Sequence, residues 1–324
     1  MQTLTEPMRR AAGALMTMQR QSWEQGVAMQ AFWELDDRDT VVRMAVEAVN
    51  RALPDGRVAM VGALDGVTDP CAAGEPLGFA ARETGREDLA AGYEALLQWA
   101  LEKAPRNPHG VVYHLTRNKQ FWVDSMYMLP PFLASAGFFR EALQNLYGYW
   151  ARLYDREAGL MSHMWDEESG QFVRAAHWGV GNGWAVAALT RMVDLLPEEY
   201  AKDKAKLSDM GRALIDRLLQ NTRPDGLFHD VVDDPSTFVE TNLSQQISYS
   251  IYRGMLSGWL SRAYAPQADK LRFAAEAKMD EYGFIRDVCG APSFDKPGIA
   301  PEAQAFFLMM QAAAQKFHVP QLED

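Results

Sequence analysis

The chain has 324 residues, of which 48% are hydrophobic and 23% are charged, a composition typical of globular proteins. Its formal net charge of −11 argues against nonspecific binding to nucleic acid or anionic membranes, because both need clustered lysines and arginines. Two cysteines, Cys71 and Cys289, give no disulfide framework, so we expect both to be small buried residues. Length alone favours two domains, but no linker or shift in composition divides the sequence, and we predict one domain over residues 1–324.

The N-terminal sequence MQTLTEPMRRAAGALMTM predicts an amphipathic helix that begins after Thr5 and Pro7. It lacks the basic segment and apolar core of a signal peptide, and no window of the chain approaches the ~20 apolar residues that span a bilayer. We therefore expect a cytoplasmic protein with neither a membrane nor a nucleic acid as partner. We expect it to be a monomer or a weak homodimer.

Helical periodicity dominates the chain and predicts about twelve helices. We expect them at 5–19, 23–36, 39–53, 73–84, 86–103, 123–136, 138–153, 181–195, 201–220, 241–262, 268–280 and 300–316. Six helix pairs joined by alternating short and long connections predict an α/α barrel of inner and outer rings, with the long loops at one end. An α-solenoid is the alternative, but a repeat period of roughly 20–50 residues is missing.

The long loops contain short apolar pieces that predict brief β-hairpin arms at the loop end of the barrel. These pieces are GVVYHL, GLMSHMW and GLFHDV. Five of the six histidines also fall in these loops or beside them: His109, His114, His163, His177 and His229. A single loop histidine is usually solvated or hydrogen-bonded, but several that share one barrel end indicate a site there.

Signatures of several common enzyme classes are missing from the sequence, including G-x-S-x-G, the Walker loop, H-E-x-x-H and C-x-x-C. GVGNGW at 179–184 is a poor match to the dinucleotide fingerprint. Its glycines predict a backbone that approaches a ligand or a neighbouring helix closely. Trp178 and Trp184 flank it, where their rings could wall a cleft.

Asp124 is the one acid in the apolar stretch QFWVDSMYMLPPFLA. It could cap the following helix, be a buried structural acid, or be catalytic. Phe121, Trp122 and Tyr127 would remove water from its carboxyl group and so raise the pKa, whereas a helix N-terminus would lower it. Glu240 in FVETNLSQQ has a similar position, and its simplest interpretation is as an acid at a helix start.

Six blocks of the sequence, in order, resemble the unsaturated rhamnogalacturonyl hydrolases of glycoside hydrolase family 105, which are related to the unsaturated glucuronyl hydrolases. They are SWEQGVAMQAFWEL, FWVDSMYMLPPFLA, GLMSHMWD, HWGVGNGWAVAALTRMVDLLP, GLFHDVVDD and FVETNLSQQISYSIYRGML. EAQAFFLMM near 302–310 resembles the last inner helix of that family. The W-x-D block and the G-N-G-W block are specific in combination.

The resemblance implies an all-α fold, an (α/α)6 barrel with β-hairpin arms at the active-site end. It also implies the release of a 4,5-unsaturated uronic acid from an oligosaccharide left by a polysaccharide lyase, without a metal or other cofactor. The aspartate of the W-x-D block, Asp124 here, would be the acid and base of that reaction. Residues implied to bind substrate are Trp23, Asp69, His114, Lys119, Trp122, His163, Trp178, Trp184 and His229.

Val180 departs from the family pattern, because many members have an arginine between the first two glycines of this block. Valine cannot form the bidentate contact that an arginine makes with a uronate. Arg174, His177 and Lys119 are the candidates for that contact. Two alternatives stay open: a conventional glycosidase that pairs Asp124 with Asp69 or Glu240, and a non-catalytic barrel that binds carbohydrate.

Overall fold

Burial divides the helices into an inner and an outer ring. The computed structural model describes residues 4–18 and 20–318. Within them, α9 (Gly179–Leu195) is buried on all sides along residues 179–193, as expected for a helix inside a barrel. By contrast, α10 (Ala201–Leu219) buries only a stripe that includes Leu207, Leu214 and Leu218, and its opposite face meets solvent.

The inner ring has six members, one of them broken in two. They are α2 (Ser22–Glu34), α4 (Gly74–Thr84), α6 (Ser125–Met128) with α7 (Pro130–Ser135), α9, α11 (Asn242–Leu256) and α13 (Pro301–His318). The outer ring comprises α1 (Glu6–Thr17), α3 (Arg38–Asn50), α5 (Glu87–Gln98), α8 (Phe139–Leu153), α10 and α12 (Ala265–Glu276). Each inner helix packs on the next, α13 packs on α2, and α1 covers α13. The ring is therefore closed, which confirms the (α/α)6 barrel and excludes a solenoid.

Local sequence signals explain most helix ends. The Thr5 side chain accepts the N–H of Met8 at 3.5 Å, so α1 starts where the sequence predicts. Its predicted end at residue 19 lies outside the described residues. The helix predicted over 123–136 is wrong in one respect: Pro130 and Pro131 break it into α6 and α7, since a proline has no N–H to donate.

Two other predicted helices end differently. The helix predicted to reach 103 changes at Trp99 into a π-helical turn, Trp99–Lys103. The helix predicted over 241–262 ends at Leu256, because Gly258 adopts a φ of 78° and a separate 3-10 turn follows at Arg262–Tyr264.

Three small antiparallel sheets lie in the loops of the described part of the chain. They are β1 (Gln120–Trp122), β4 (Met164–Asp166) and β5 (Gln171–Arg174); β2 (Tyr154–Asp155) and β3 (Leu160–Met161); and β6 (Phe228–His229) and β7 (Val239–Glu240). GLMSHMW and GLFHDV contribute strands as predicted. GVVYHL does not, because its residues make only isolated pairs, Val112 with Arg106 and Leu115 with Gly66.

Glycines and cysteines in the barrel wall serve packing. A Cβ on Gly181 would lie 2.5 Å from a methyl carbon of Val123, so this glycine lets α9 approach the segment that carries Asp124. Cys71 and Cys289 are buried and unpaired, as expected. Within residues 4–18 and 20–318, every helix is too short or too polar to cross a bilayer.

Candidate active site

A cavity of about 370 Å³ opens at the end of the barrel where the inner helices begin. Nine of the residues singled out in the sequence line it: Trp23, Asp69, His114, Trp122, Asp124, His163, Arg174, Trp178 and Trp184. The backbone N–H groups at helix N-termini point towards this end and give it a positive potential. The inner ring thus gathers acids, imidazoles and aromatic rings around one space.

Asp124 faces this cavity without acting as a helix cap. It stands directly before α6, yet its side chain accepts no capping hydrogen bond. Its side chain is 15% exposed, and its Oδ1 has no hydrogen-bond partner. No lysine or arginine of the described residues forms an ion pair with it, and its nearest cationic partner is His114, whose Nδ1 lies 3.8 Å from Oδ2. The carboxyl group is therefore partly dehydrated but open to the cavity.

His114 links Asp124 to a second acid. Its Nδ1 lies 2.9 Å from the hydroxyl of Ser125 and 3.0 Å from that of Thr68, which fixes the ring in the plane of these two groups. Its Nε2 lies 3.8 Å from Oδ1 of Asp69, and the ring stacks on Trp122 with 4.2 Å between the centroids. The imidazole is thus held between two carboxyl groups.

The two acids titrate as a pair. Burial raises the pKa of Asp124, and the positive charge of His114 opposes this shift. Burial raises the pKa of Asp69 to about 6; His114 again opposes the shift, and the negative charge of Asp124 adds to it. A pair coupled in this way keeps a proton at a higher pH than an isolated aspartate would.

The three-stranded sheet forms one wall of the cavity. Its register places Trp122, Met164 and Arg174 side by side, and all three line the space. Nη1 of Arg174 lies 3.1 Å from Nδ1 of His163, and since an arginine can only donate, this nitrogen accepts and Nε2 carries the hydrogen. Burial and the charge of Arg174 hold the pKa of His163 well below its usual range, so the ring is neutral at neutral pH.

The structure resolves two of the sequence alternatives. Glu240 is fully buried and away from the cavity lining, and its carboxylate accepts the N–H groups of Asn242 and Leu243 at 2.8 Å each. It therefore stabilises the start of α11, as its simplest interpretation predicts. Val180 is also buried off the cavity lining, whereas Arg174 is the one lysine or arginine, among the described residues, that lines it.

Three residues expected at the site lie elsewhere. The ammonium group of Lys119 is exposed and lies 3.8 Å from the carboxylate of Glu168. His177 is held by Asp233, with 2.7 Å between Nδ1 and the carboxylate oxygen. His229 donates to the carbonyl of Thr237 inside the β6–β7 hairpin. These three side chains therefore have other partners and do not line the cavity.

The cavity also contains residues that sequence reasoning missed. Glu302, in the first turn of α13, lines it, as does Phe294 in the preceding loop. Asp230 lies behind the wall, with 3.9 Å between its Oδ2 and Nη2 of Arg174. Glu302 had a usable signal, because it is an acid at the start of an apolar helix, as Asp124 is. Phe294 and Asp230 had none.

Asp69, His114 and Asp124 are also the residues best placed to hold a cation. One oxygen or nitrogen atom from each lies within 4.8 Å of the others. The set offers two carboxylate oxygens and one imidazole nitrogen, which are ligand types that divalent metals accept. The same proximity couples the titration of the two acids.

Comparisons with known proteins agree with this geometry. The family model described as Glycosyl Hydrolase Family 88 matches residues 2–310. The chain is 24% identical to the unsaturated rhamnogalacturonyl hydrolase YesR of Bacillus subtilis over 76% of this chain and 73% of that protein. It is 23% identical to an unsaturated 3S-rhamnoglycuronyl hydrolase of Formosa agariphila over 57% of this chain and 54% of the other.

A solved structure has the same fold. It is the crystal structure of a possible member of the GH105 family from Salmonella enterica, with a TM-score of 0.84 and 19% identity over 96% of this chain and 93% of that one. The resemblance noted in the sequence is thus confirmed. Because the family model covers nearly the whole length, the chain belongs to Glycosyl Hydrolase Family 88.

Proposed function

We propose that this protein releases 4,5-unsaturated uronic acid from the non-reducing end of lyase-generated oligosaccharides, with Asp124 as the acid and base. The observation that carries the proposal is the carboxyl group of Asp124. It faces the cavity, has a raised pKa, and is neither a helix cap nor the partner of a lysine or arginine. The names of the relatives, which are unsaturated rhamnogalacturonyl and rhamnoglycuronyl hydrolases, support the same substrate class.

One carboxyl group suffices for this chemistry. The protonated acid of Asp124 gives its hydrogen to C4 of the C4=C5 enol ether, which leaves an oxocarbenium-like cation at C5. Water adds to C5, and the carboxylate of Asp124 takes a proton from that water. The resulting hemiketal opens, and C1, now an open-chain hemiacetal, expels the remaining sugar. Neutral His163 would donate its Nε2 hydrogen to the water or to the sugar.

We propose that Arg174 binds the uronate carboxylate. It is the one lysine or arginine of the described residues that lines the cavity, and in the sheet it is separated from Trp122 by Met164 of the middle strand. Its guanidinium can form two parallel hydrogen bonds with a carboxylate. The rings of Trp122, Trp178 and Trp184 would pack on the apolar faces of the sugar.

A conventional two-acid glycosidase is the second candidate, because oxygens of Asp69 and Asp124 lie within 4.8 Å of each other. Retaining glycosidases hold their two carboxyl groups about 5–5.5 Å apart. Such an enzyme would cleave saturated nitrophenyl glycosides, whereas the proposed reaction needs the C4=C5 bond. His114 lies between the two acids and occupies room that a glycosidic oxygen would need, so we favour the first candidate.

The test uses lyase digests of pectin, ulvan and glycosaminoglycans, with loss of the ultraviolet absorbance of the C4=C5 bond as readout. Asp124→Asn should lower the rate by ~10²- to 10⁴-fold, which is the usual contribution of a general acid. The circular dichroism spectrum should not change. Asp39→Asn, on an exposed aspartate of α3, is the matched control. Full activity of the Asp124 variant, or cleavage of saturated glycosides, would refute the proposal. Chelation with EDTA should leave the rate unchanged, because the proposed steps use only Asp124 and water.

The cytoplasmic location and the monomeric or weakly dimeric state stay predictions from the sequence, as does the single domain over residues 1–324. Size-exclusion chromatography with light scattering at several concentrations measures the oligomeric state. A stable higher oligomer would contradict the expectation.

A further inference from the structure

Two buried glutamates from neighbouring inner helices meet at the base of the cavity. Glu24 lies in the first turn of α2 and Glu302 in the first turn of α13, and each is 2% exposed. Their carboxyl groups are within hydrogen-bonding contact of each other. We call them the glutamate pair. The reaction proposed above does not use them.

The surroundings of the glutamate pair do not neutralise its charge. Neither member forms an ion pair with a lysine or arginine of the described residues, and the guanidinium of Arg20, which attracts Glu24 from a distance, is bound to Gln25. Glu240, from the start of α11, is a third acid near Glu302, and burial raises its own pKa to about 8. Two carboxylates in contact cannot both ionise in such a place, so the pair retains one proton between them.

The titration of both groups agrees with this arrangement. Burial raises the pKa of Glu24 to about 7, although the N–H of Gln21 bonded to its carboxylate opposes the shift. Burial and the charge of Glu24 raise the pKa of Glu302 well above its usual range. Glu302 therefore keeps its proton at neutral pH, and any negative charge of the pair lies on Glu24.

Only one member of the glutamate pair reaches the cavity. Glu302 lines it, and its Oε2 is buried without a hydrogen-bond partner. Glu24 lies behind Glu302, off the cavity lining, with its carboxylate bound to the backbone of Gln21. A buried acceptor that lacks a donor is costly in the free protein, so a ligand that supplies the donor gains affinity.

We propose that Glu302 accepts a hydrogen bond from a hydroxyl group of the bound sugar, and that it thereby rejects sugars with a sulfate ester at that position. This inference rests on the proposed function, since it names the substrates that the same cavity accepts. A sulfate ester removes the donating hydrogen and brings a full negative charge against the glutamate pair. The uronate must turn away from the pair for the same reason, which directs it to Arg174.

The expected discrimination follows from the type of bond lost. A buried hydrogen bond, together with the cost of leaving it unmade, corresponds to about 10- to 100-fold in affinity. An unsulfated unsaturated disaccharide should therefore bind more tightly by that factor than the derivative with a sulfate at the position that faces Glu302. Glu24 is a positioning residue, because it acts by holding the shared proton.

Two variants form a matched test, because only one of them keeps an oxygen acceptor at the cavity. In Glu302→Leu the acceptor that faces the cavity is removed. In Glu24→Gln the acceptor on Glu302 stays, and the amide oxygen of the new side chain can accept the proton of Glu302. The first should lose about 10-fold or more of the discrimination against sulfate, and the second should keep most of it.

Binding rather than turnover is the readout. Calorimetry on Asp124→Asn protein, alone and combined with each glutamate variant, compares unsaturated disaccharides without sulfate, with uronyl 2-O-sulfate, and with sulfate on the adjoining sugar. The inference is overturned if Glu302→Leu changes all affinities equally, if both variants behave alike, or if no disaccharide binds. Failure of the proposed hydrolysis would be distinguishable from this. In that case the disaccharides would bind, but the wild-type protein would leave their ultraviolet absorbance unchanged.

Discussion

At the scale of single residues, the state of Asp124 depends on two opposing effects. Its position before α6 favours the carboxylate, since the free N–H groups of a helix start stabilise negative charge. Burial favours the acid, and the unpartnered Oδ1 shows that no donor compensates for the lost water. The negative charge of Asp69 also raises the pKa of Asp124, because two neighbouring carboxylates repel each other. The acid is therefore available for proton transfer.

This coupling predicts a pH effect of Asp69→Asn. With Asp124 as the acid, the rate is highest where Asp124 is protonated and falls as the pH rises through its pKa. Asp69 and Asp124 repel each other as carboxylates, so the charge of Asp69 raises the pKa of Asp124 wherever the two acids titrate in the same pH range. The asparagine variant lacks this charge, so the pKa of Asp124 falls and the alkaline limb of kcat/KM should move to lower pH. A limb that stays in place, or moves up, would contradict the coupling.

Arg174 gives a second prediction at this scale. Arg174→Met should raise KM about 10- to 100-fold with a smaller change in kcat, because a carboxylate contact is made in both the ground state and the transition state. The methyl ester of the unsaturated uronate provides the internal control, since it carries no charge for Arg174 to bind. On the ester, the variant should lose little relative to wild type. Arg140→Met, at an exposed position on α8, should leave both substrates unaffected.

At the scale of elements, the sequence predicts helices well and the site only in part. Inner and outer helices have clear apolar periods, so nearly all of them are found, and the break at Pro130 is the main exception. Strand β5 has no such signal, because Phe172 and Val173 are 40% and 55% exposed. The register of that strand decides that Arg174, rather than His177 or Lys119, faces the cavity. Local patterns cannot predict a register that depends on a distant strand.

The close packing of α9 gives a prediction for an element. Gly181→Ala would place a Cβ 2.5 Å from Val123, the residue before Asp124, and 2.8 Å from the ring of Trp178. Overpacking of this kind costs about 1–3 kcal/mol, and it should also lower kcat by displacing the acid. Gly13→Ala in α1, where a new Cβ meets nothing within 4 Å, is the control and should stabilise by about 0.5–1 kcal/mol. Urea unfolding measures both, and equal effects would refute the packing argument.

At the scale of the whole molecule, closure of the ring links distant parts of the chain. Phe306 of α13 contacts Tyr127, Trp184 and Tyr249, with ring centroids 5.8, 5.1 and 5.8 Å away. These partners belong to α6, α9 and α11, so one side chain joins four inner helices near the axis. At the other end, Arg253 of α11 pairs with Glu34 of α2 and with Asp194 of α9. Side-chain contacts thus join different inner helices at both ends of the barrel.

This closure predicts that the barrel unfolds as one unit. Thermal transitions followed by helical circular dichroism and by tryptophan fluorescence should coincide, because no segment of the ring is stable without its neighbours. Phe306→Ala should lower both midpoints together, with a loss of about 3–5 kcal/mol, since it opens a cavity among four helices. Phe273→Ala on α12, whose ring is 56% exposed, is the matched control and should change the free energy of unfolding little. Two separate transitions in wild type, or a variant that shifts only one probe, would mean that the ring contains independent units.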